Sequence, residues 1–186
     1  ACYNGSSEMV NQFSNAVITF LFNIILMRLA GPNGVAAITI LLYGQFLFNA
    51  FYLGFSIGIS PIVGYQYGAG NRKELKRIYR ISFRFVSISS VIIAFAAVYL
   101  SSGIVTIFTD DPKTHALAVT GFGIFAYNFL FSGFNIASSG FFTALSDGKS
   151  SAIISFCRTL LFTVISLLVL PRFFGVNGAW LAIPVA

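Results

Sequence analysis

The chain consists of long apolar stretches separated by short segments rich in glycine, proline, asparagine and charge. About 20 consecutive apolar residues are enough to cross a bilayer as a helix. The spacing of the interruptions predicts five membrane helices and the start of a sixth, at residues 8–30, 35–67, 75–101, 113–145, 150–170 and 178–186. The predicted fold class is therefore an all-α integral membrane bundle of five full transmembrane helices plus the start of a sixth.

Polar side chains recur at spacings of three and four along three of these helices, which places them on one face of each helix. They are Glu8, Gln12, Asn15, Thr19 and Asn23 in the first, Gln45, Asn49, Tyr52, Ser56 and Ser60 in the second, and Asn128, Ser132, Asn135 and Ser139, with Tyr127 alongside, in the fourth. An unpaired amide in hydrocarbon is costly, so these faces are predicted to turn inward. Such residues often only bond neighbouring helices together. Three amide-rich helices favour instead a wide, moderately polar cavity, because small residues would suffice for cohesion.

The composition excludes a water-soluble domain and most catalytic chemistry. The chain is 57% hydrophobic and only 9% charged, whereas soluble proteins are about a quarter charged. Two distant cysteines and one histidine exclude a zinc site and a disulfide scaffold. The Asp110-Asp111 pair precedes a proline and is typical of a helix cap. We therefore expect no enzyme activity, no catalytic residue, no metal site and no cofactor.

Basic residues are concentrated after the second helix and fix the predicted orientation. Six of the eleven lie within thirteen residues: Arg72, Lys73, Lys76, Arg77, Arg80 and Arg84. Such clusters remain on the cytoplasmic side, so the loop 68–77 is predicted to be cytoplasmic, with Asn71 and Glu74 capping the next helix. We expect anionic lipid headgroups, not nucleic acid, to contact Arg72, Lys73, Lys76, Arg77 and Arg80.

The sequence begins without methionine and stops about ten residues into a new apolar segment, so we expect a piece of a longer protein. Acidic residues are also missing from the middle of the helices: none lies within residues 10–67, 75–109 or 112–146. Because a midplane carboxylate is the usual ligand for a coupling cation, this segment is not expected to be the whole of an ion-coupled machine.

The run SPIVGYQYGAGNRKELKR resembles the cytoplasmic end of the eighth helix of multidrug and toxic compound extrusion (MATE) transporters. Its matching positions are Pro61, Gly64, Tyr65, Tyr67, Gly68, Ala69 and Asn71. Further similarity lies in residues 34–40, 141–152 and 156–186, so the resemblance covers nearly the whole chain. It implies that residues 1–186 are a C-terminal transmembrane lobe, helices seven to eleven plus the start of twelve. In that family two such lobes enclose a central cavity.

The resemblance implies a secondary active exporter of cationic or amphipathic drugs, driven by Na⁺ or H⁺ antiport with alternating access. Its implied partners are small-molecule drugs and the N-terminal lobe of the same polypeptide, which is expected to bind the coupling ion. The residues expected to line this lobe's part of the cavity are Asn15, Asn23, Gln45, Asn49, Tyr52, Tyr127, Asn128 and Asn135. We expect a multi-pass protein of a bacterial plasma membrane. The alternatives are a lipid-linked oligosaccharide flippase of the same superfamily, or a non-transporting membrane assembly or sensor domain.

Overall fold

The computed structural model describes residues 2–145, 153 and 156–186, and the side chains of residues 2–8, 10, 11 and 158 lie outside that description. The predicted start of the fifth helix at Ser150 therefore lies outside the described residues, as does the side chain of Glu8. The described chain is helical almost throughout, without a strand in the described ranges, which confirms the predicted all-α class.

The first helical stretch, Cys2–Gly68, is divided by one residue with non-helical backbone angles, Gly31 (φ 65°, ψ −155°). Its parts are α1 (residues 2–30) and α2 (residues 32–68). Next come α3 (Arg72–Tyr99), α4 (Ser101–Phe108) and α5 (Pro112–Ala144). The last stretch opens as a π-helix over Phe156–Phe162, continues over Thr163–Val185, and is divided by Gly175 into α6 (residues 156–174) and α7 (residues 176–185).

Within the described residues, four helical stretches are long and apolar enough to cross a membrane, namely Gln12–Gly68, Arg72–Tyr99, Pro112–Ala144 and Thr159–Val185. A straight helix of 57 residues would be about 85 Å long, far beyond a bilayer core of about 30 Å. The break at Gly31 therefore turns the first stretch into a hairpin of two spans. The predicted helices left a four-residue turn at 31–34, whereas the observed break is confined to Gly31.

The helix starts follow the predicted caps. Asn71 precedes α3, and its side-chain oxygen accepts a hydrogen bond from the Glu74 backbone N–H at 3.2 Å. Asp111 precedes α5 and accepts from the Thr114 backbone N–H at 2.8 Å. The predicted third helix ended at residue 101, whereas α3 ends at Tyr99 and a short helix that was not predicted, α4, follows after Leu100 alone.

Helix α5 is the centre of the bundle, since it contacts the α1–α2 stretch, α3, α4 and the Thr163–Val185 stretch. Its partner α2 runs parallel to it. The ring of Phe48 packs edge-on against that of Phe129, with centroids 5.1 Å apart. Near one end Leu41 lies against Gly121, and further along Tyr52 lies against Gly133. On one side of this pair α3 stacks Phe85 on Phe55, with centroids 4.5 Å apart.

Candidate functional site

The amides of Asn49 on α2 and Asn128 on α5 lie at the same level of the bundle and on the same side of the α2–α5 contact. Asn49 follows Phe48 and Asn128 precedes Phe129, and those two rings touch. Successive helical residues turn by about 100°. In two parallel helices that touch, moving one residue forward along α2 and one residue back along α5 therefore rotates the side-chain direction to the same side of the contact. The stacking of Phe51 on Phe85, with centroids 5.8 Å apart, places α3 on the opposite side.

Three buried polar atoms in this region have no hydrogen-bond partner among the described residues: Asn49 Oδ1, Asn128 Nδ2 and Ser132 Oγ. They comprise an acceptor, a donor and a hydroxyl that can do both. Buried polar groups in proteins are nearly always hydrogen-bonded, and hydrocarbon offers no substitute. We use the name α2–α5 cleft for the polar face formed by Gln45, Asn49, Asn128, Ser132 and Asn135, all of which carry neutral hydrogen-bonding groups.

The other members of the cleft are half-buried. Gln45 lies one turn before Asn49 on α2, and Asn135 lies two turns after Asn128 on α5. Asn23 on α1 is also half-buried, whereas Asn15 is exposed. Tyr127 is 65% exposed, so its ring face is open to a neighbouring molecule.

The structure gives Tyr52 a different position from the other seven predicted residues. Its side chain is only 1% exposed, and its hydroxyl lies within hydrogen-bond distance of Ser90 Oγ, at 3.2 Å, and of the Phe129 carbonyl, at 3.4 Å. Tyr52 thus joins α2, α3 and α5 from inside the lobe. In this arrangement a ligand in the cleft would not reach its ring from the surface.

Carboxylates are absent from the middle of the helices in the part of the chain whose side chains are described. The acidic residues there are Glu74, Asp110 and Asp111, and each lies at or beside a helix start. The carboxyl of Asp111 accepts hydrogen bonds from the backbone N–H and hydroxyl of Thr114, which hold its pKa below its usual range. The α2–α5 cleft is therefore electrically neutral.

Two polar residues of interest were not among the predicted site residues. Ser132 belongs to the stripe of Asn128, and its spacing was the signal that could have selected it. Trp180 on α7 is fully buried and packs edge-on against Phe125 with centroids 6.4 Å apart, and its Nε1 has no hydrogen-bond partner in the part of the chain that the structure describes. The sequence holds no local signal for it, because the contact joins helices far apart along the chain.

These features define a multi-pass α-helical membrane protein with a band of neutral polar groups between two parallel helices. The chain belongs to the MatE family, whose model matches residues 9–168, and this confirms the resemblance seen in the sequence. No curated protein sequence matches the chain significantly.

Solved structures share the fold. A multidrug resistance MATE family transporter of the MOP superfamily in an outward-facing conformation has 19% identity and a TM-score of 0.89, over 97% of this chain and 41% of its own. One in an inward-facing conformation has 19% identity and a TM-score of 0.87, over 95% and 41%. A MOP superfamily transporter from Pyrococcus furiosus, whose pocket of reverse polarity suggests a different function, has 19% identity and a TM-score of 0.89, over 97% and 41%. The chain thus spans about two fifths of the length of these proteins.

Proposed function

We propose that this chain is one lobe of a secondary active exporter of cationic or amphipathic drugs, working by Na⁺- or H⁺-coupled antiport with alternating access. The observation that carries the proposal is a pair of amide atoms without a hydrogen-bond partner among the described residues, Asn49 Oδ1 and Asn128 Nδ2, at one level of two parallel helices. Helices held together only for cohesion would pair such groups with each other. Membership of the MatE family supplies the transport context.

The chemistry of the α2–α5 cleft suits a broad range of substrates. Amides and a hydroxyl can donate to or accept from many polar groups without demanding one charge. Tyr127 lies outside this set but is exposed on α5 next to Asn128, and an aromatic face attracts a cation with about 0.5–2 kcal/mol. Several weak contacts of this kind hold a drug without requiring a fixed geometry.

Alternating access requires that a lobe can move as a unit against its partner. The fold of this chain is similar, to nearly the same degree, to an outward-facing and to an inward-facing transporter. This supports a lobe whose internal arrangement persists while its position changes. The N-terminal lobe of the same polypeptide is the partner that the proposal requires.

We also propose that the coupling Na⁺ or H⁺ binds in the N-terminal lobe. The described part of this lobe has no carboxylate at mid-depth, and ionisable residues within membrane helices are typical of ion pathways. In the same proposal the protein lies in the plasma membrane, with the loop 68–77 in the cytoplasm because of its basic residues.

The test is uptake of a fluorescent cationic dye into everted vesicles that contain the full-length parent protein, under an imposed Na⁺ or proton gradient. Asn49→Leu and Asn128→Leu should each lower the rate about fivefold, because a lost hydrogen bond costs about 1 kcal/mol. Thr39→Val and Thr120→Val are matched controls on the same two helices. Both threonines are exposed and bond their own backbone, to Val35 and Ala116, so their replacement should leave uptake unchanged.

Two outcomes would contradict the proposal. Unchanged uptake in both asparagine variants would remove the α2–α5 cleft from the transport path. Absence of uptake with either gradient would favour the flippase alternative, and translocation of a lipid-linked oligosaccharide would then be measured. The described lobe gives that alternative little support, since its basic residues in α3 lie near the start of that helix.

A further inference from the structure

A groove of about 680 Å³ runs between the first turns of α3 and the last turns of α5. Three cations and three aromatic rings form its walls: Lys76, Arg80, Arg84, Tyr79, Phe83 and Phe141. The ring of Tyr79 packs edge-on against that of Phe141, with centroids 5.7 Å apart. That contact ties α3 to α5 and gives the groove a defined apolar wall.

The basic residues of α3 fall into two sets. Lys76, Arg80 and Arg84 are spaced by four, so they lie on one face and line the groove. Arg72, Lys73 and Arg77 do not line it. Arg77 instead forms an ion pair with Glu74 at 3.7 Å on the surface. The groove walls contain no acidic residue among the described ones, so the positive charge of the first set is not neutralised there.

We propose that this groove binds an anionic phospholipid. Its phosphate would lie against Lys76, Arg80 and Arg84, and the first methylenes of its acyl chains against Tyr79, Phe83 and Phe141. The position agrees with this occupant, because the three basic residues lie in the first half of a helix long and apolar enough to cross a membrane, from which their long side chains can extend toward the headgroups. A soluble anion would use the cations alone, whereas a phospholipid uses both walls. The proposal does not depend on transport.

Binding in this groove differs from a general attraction between a basic loop and a charged membrane. A diffuse field depends only on how many charges lie near the surface, so all six basic residues would contribute alike. The affinity of a defined site depends instead on which of the basic residues line the groove. The two sets of three give a matched comparison, since removing either set changes the net charge equally and leaves the other intact.

The experiment uses the full-length parent protein and native mass spectrometry from micelles with equal amounts of phosphatidylglycerol and phosphatidylcholine. The groove variant combines Lys76→Gln, Arg80→Gln and Arg84→Gln, and the control combines Arg72→Gln, Lys73→Gln and Arg77→Gln. Each basic residue near an anionic surface contributes about fivefold in affinity. The groove variant should therefore lose one retained phosphatidylglycerol, with affinity lowered by roughly a hundredfold. The control should keep it.

Equal losses in the two variants would overturn the proposal in favour of a diffuse field, and retention in both would place the lipid elsewhere. Thermal midpoints in phosphatidylcholine alone show whether each variant is folded. If the triple variant is unfolded, Arg80→Gln alone is compared with Arg77→Gln, with an expected difference of about fivefold.

A second arm separates the lipid from free phosphate. Phosphatidylglycerol should raise the thermal midpoint of the wild-type protein, and inorganic phosphate at the same concentration should not. Phe141→Ala should reduce the shift that phosphatidylglycerol produces, because the acyl chains lose their apolar wall. A shift by inorganic phosphate equal to that by the lipid, or a lipid shift unaffected by Phe141→Ala, would overturn the lipid assignment.

Discussion

Tyr52 is the residue at which three helices of the lobe meet. Its ring fills the space left by Gly133, and its hydroxyl reaches Ser90 on α3 and the Phe129 carbonyl on α5. A large ring against a glycine lets two backbones approach closely, which is the main way membrane helices gain packing contacts. The position therefore stabilises the lobe from inside.

Gly133→Ala should destabilise the protein, because a β-carbon at this position would lie 2.5 Å from Tyr52 Cε1. Overpacking of this kind costs about 1–3 kcal/mol. Gly123→Ala on the same helix is the control, since a β-carbon there meets nothing within 4 Å. The measurement is the thermal midpoint in detergent. Equal midpoints for the two variants would mean that Tyr52 moves aside without cost.

Asp111 should add a small, pH-dependent contribution to stability. The backbone N–H and then the hydroxyl of Thr114 stabilise its carboxylate and lower its pKa. A carboxyl with a lowered pKa in the folded state stabilises the fold above its unfolded pKa, and this is lost as pH falls through the folded value. Asp111→Asn should therefore lower the thermal midpoint most at neutral pH, and the difference should shrink in acid. Asp110→Asn, beside the cap, is the control for the loss of one negative charge at this helix start.

At the scale of the elements, two glycines divide long helical stretches into separate spans. Gly31 (φ 65°, ψ −155°) and Gly175 (φ 56°, ψ −132°) have backbone angles close to a region that only glycine enters readily. A β-carbon at either would meet nothing within 4 Å. The requirement at these points is therefore backbone conformation, not space.

Gly31→Ala should cost about 1–3 kcal/mol, the usual cost of holding a residue in a sparsely populated conformation. Gly54→Ala on α2 is the matched control. Its β-carbon also meets nothing within 4 Å, but its backbone is helical, so alanine should be neutral or slightly stabilising. Thermal midpoints of the two variants, compared with the wild type, give the answer. A Gly31→Ala variant as stable as Gly54→Ala would show that the hairpin adapts to another backbone conformation.

The sequence predicted the helix starts at Asn71 and Asp111 well, because caps are local features. It did not predict α4 or the π-helix over Phe156–Phe162, since a short break such as Leu100 leaves no composition signal. The polar stripes showed which residues share a face, but not what that face meets. Tyr52 and Asn49 belong to one stripe, yet the hydroxyl of Tyr52 is hydrogen-bonded between three helices, whereas Asn49 Oδ1 has no partner among the described residues.

For the whole molecule, the question is whether the α2–α5 cleft opens to water. A lobe that lines a cavity and a lobe whose amides only bond its helices to one another would have the same fold, so family membership does not distinguish them. The rest of the polypeptide decides what faces Asn49 and Asn128. A transporter must let water and drug reach this level at one stage of its cycle.

Single cysteines at Asn49 and Asn128, in the full-length protein freed of its own cysteines, should react with a water-soluble thiol reagent. Cysteines at Ala37 and Ala118 are the controls on the same helices, because both alanines are fully buried in the core and should stay unreactive. A bound cationic dye should slow the reaction at Asn49 and Asn128 only. If all four positions are equally unreactive, the asparagines only hold the helices together. That result would contradict the cavity and support the alternative of a non-transporting membrane domain.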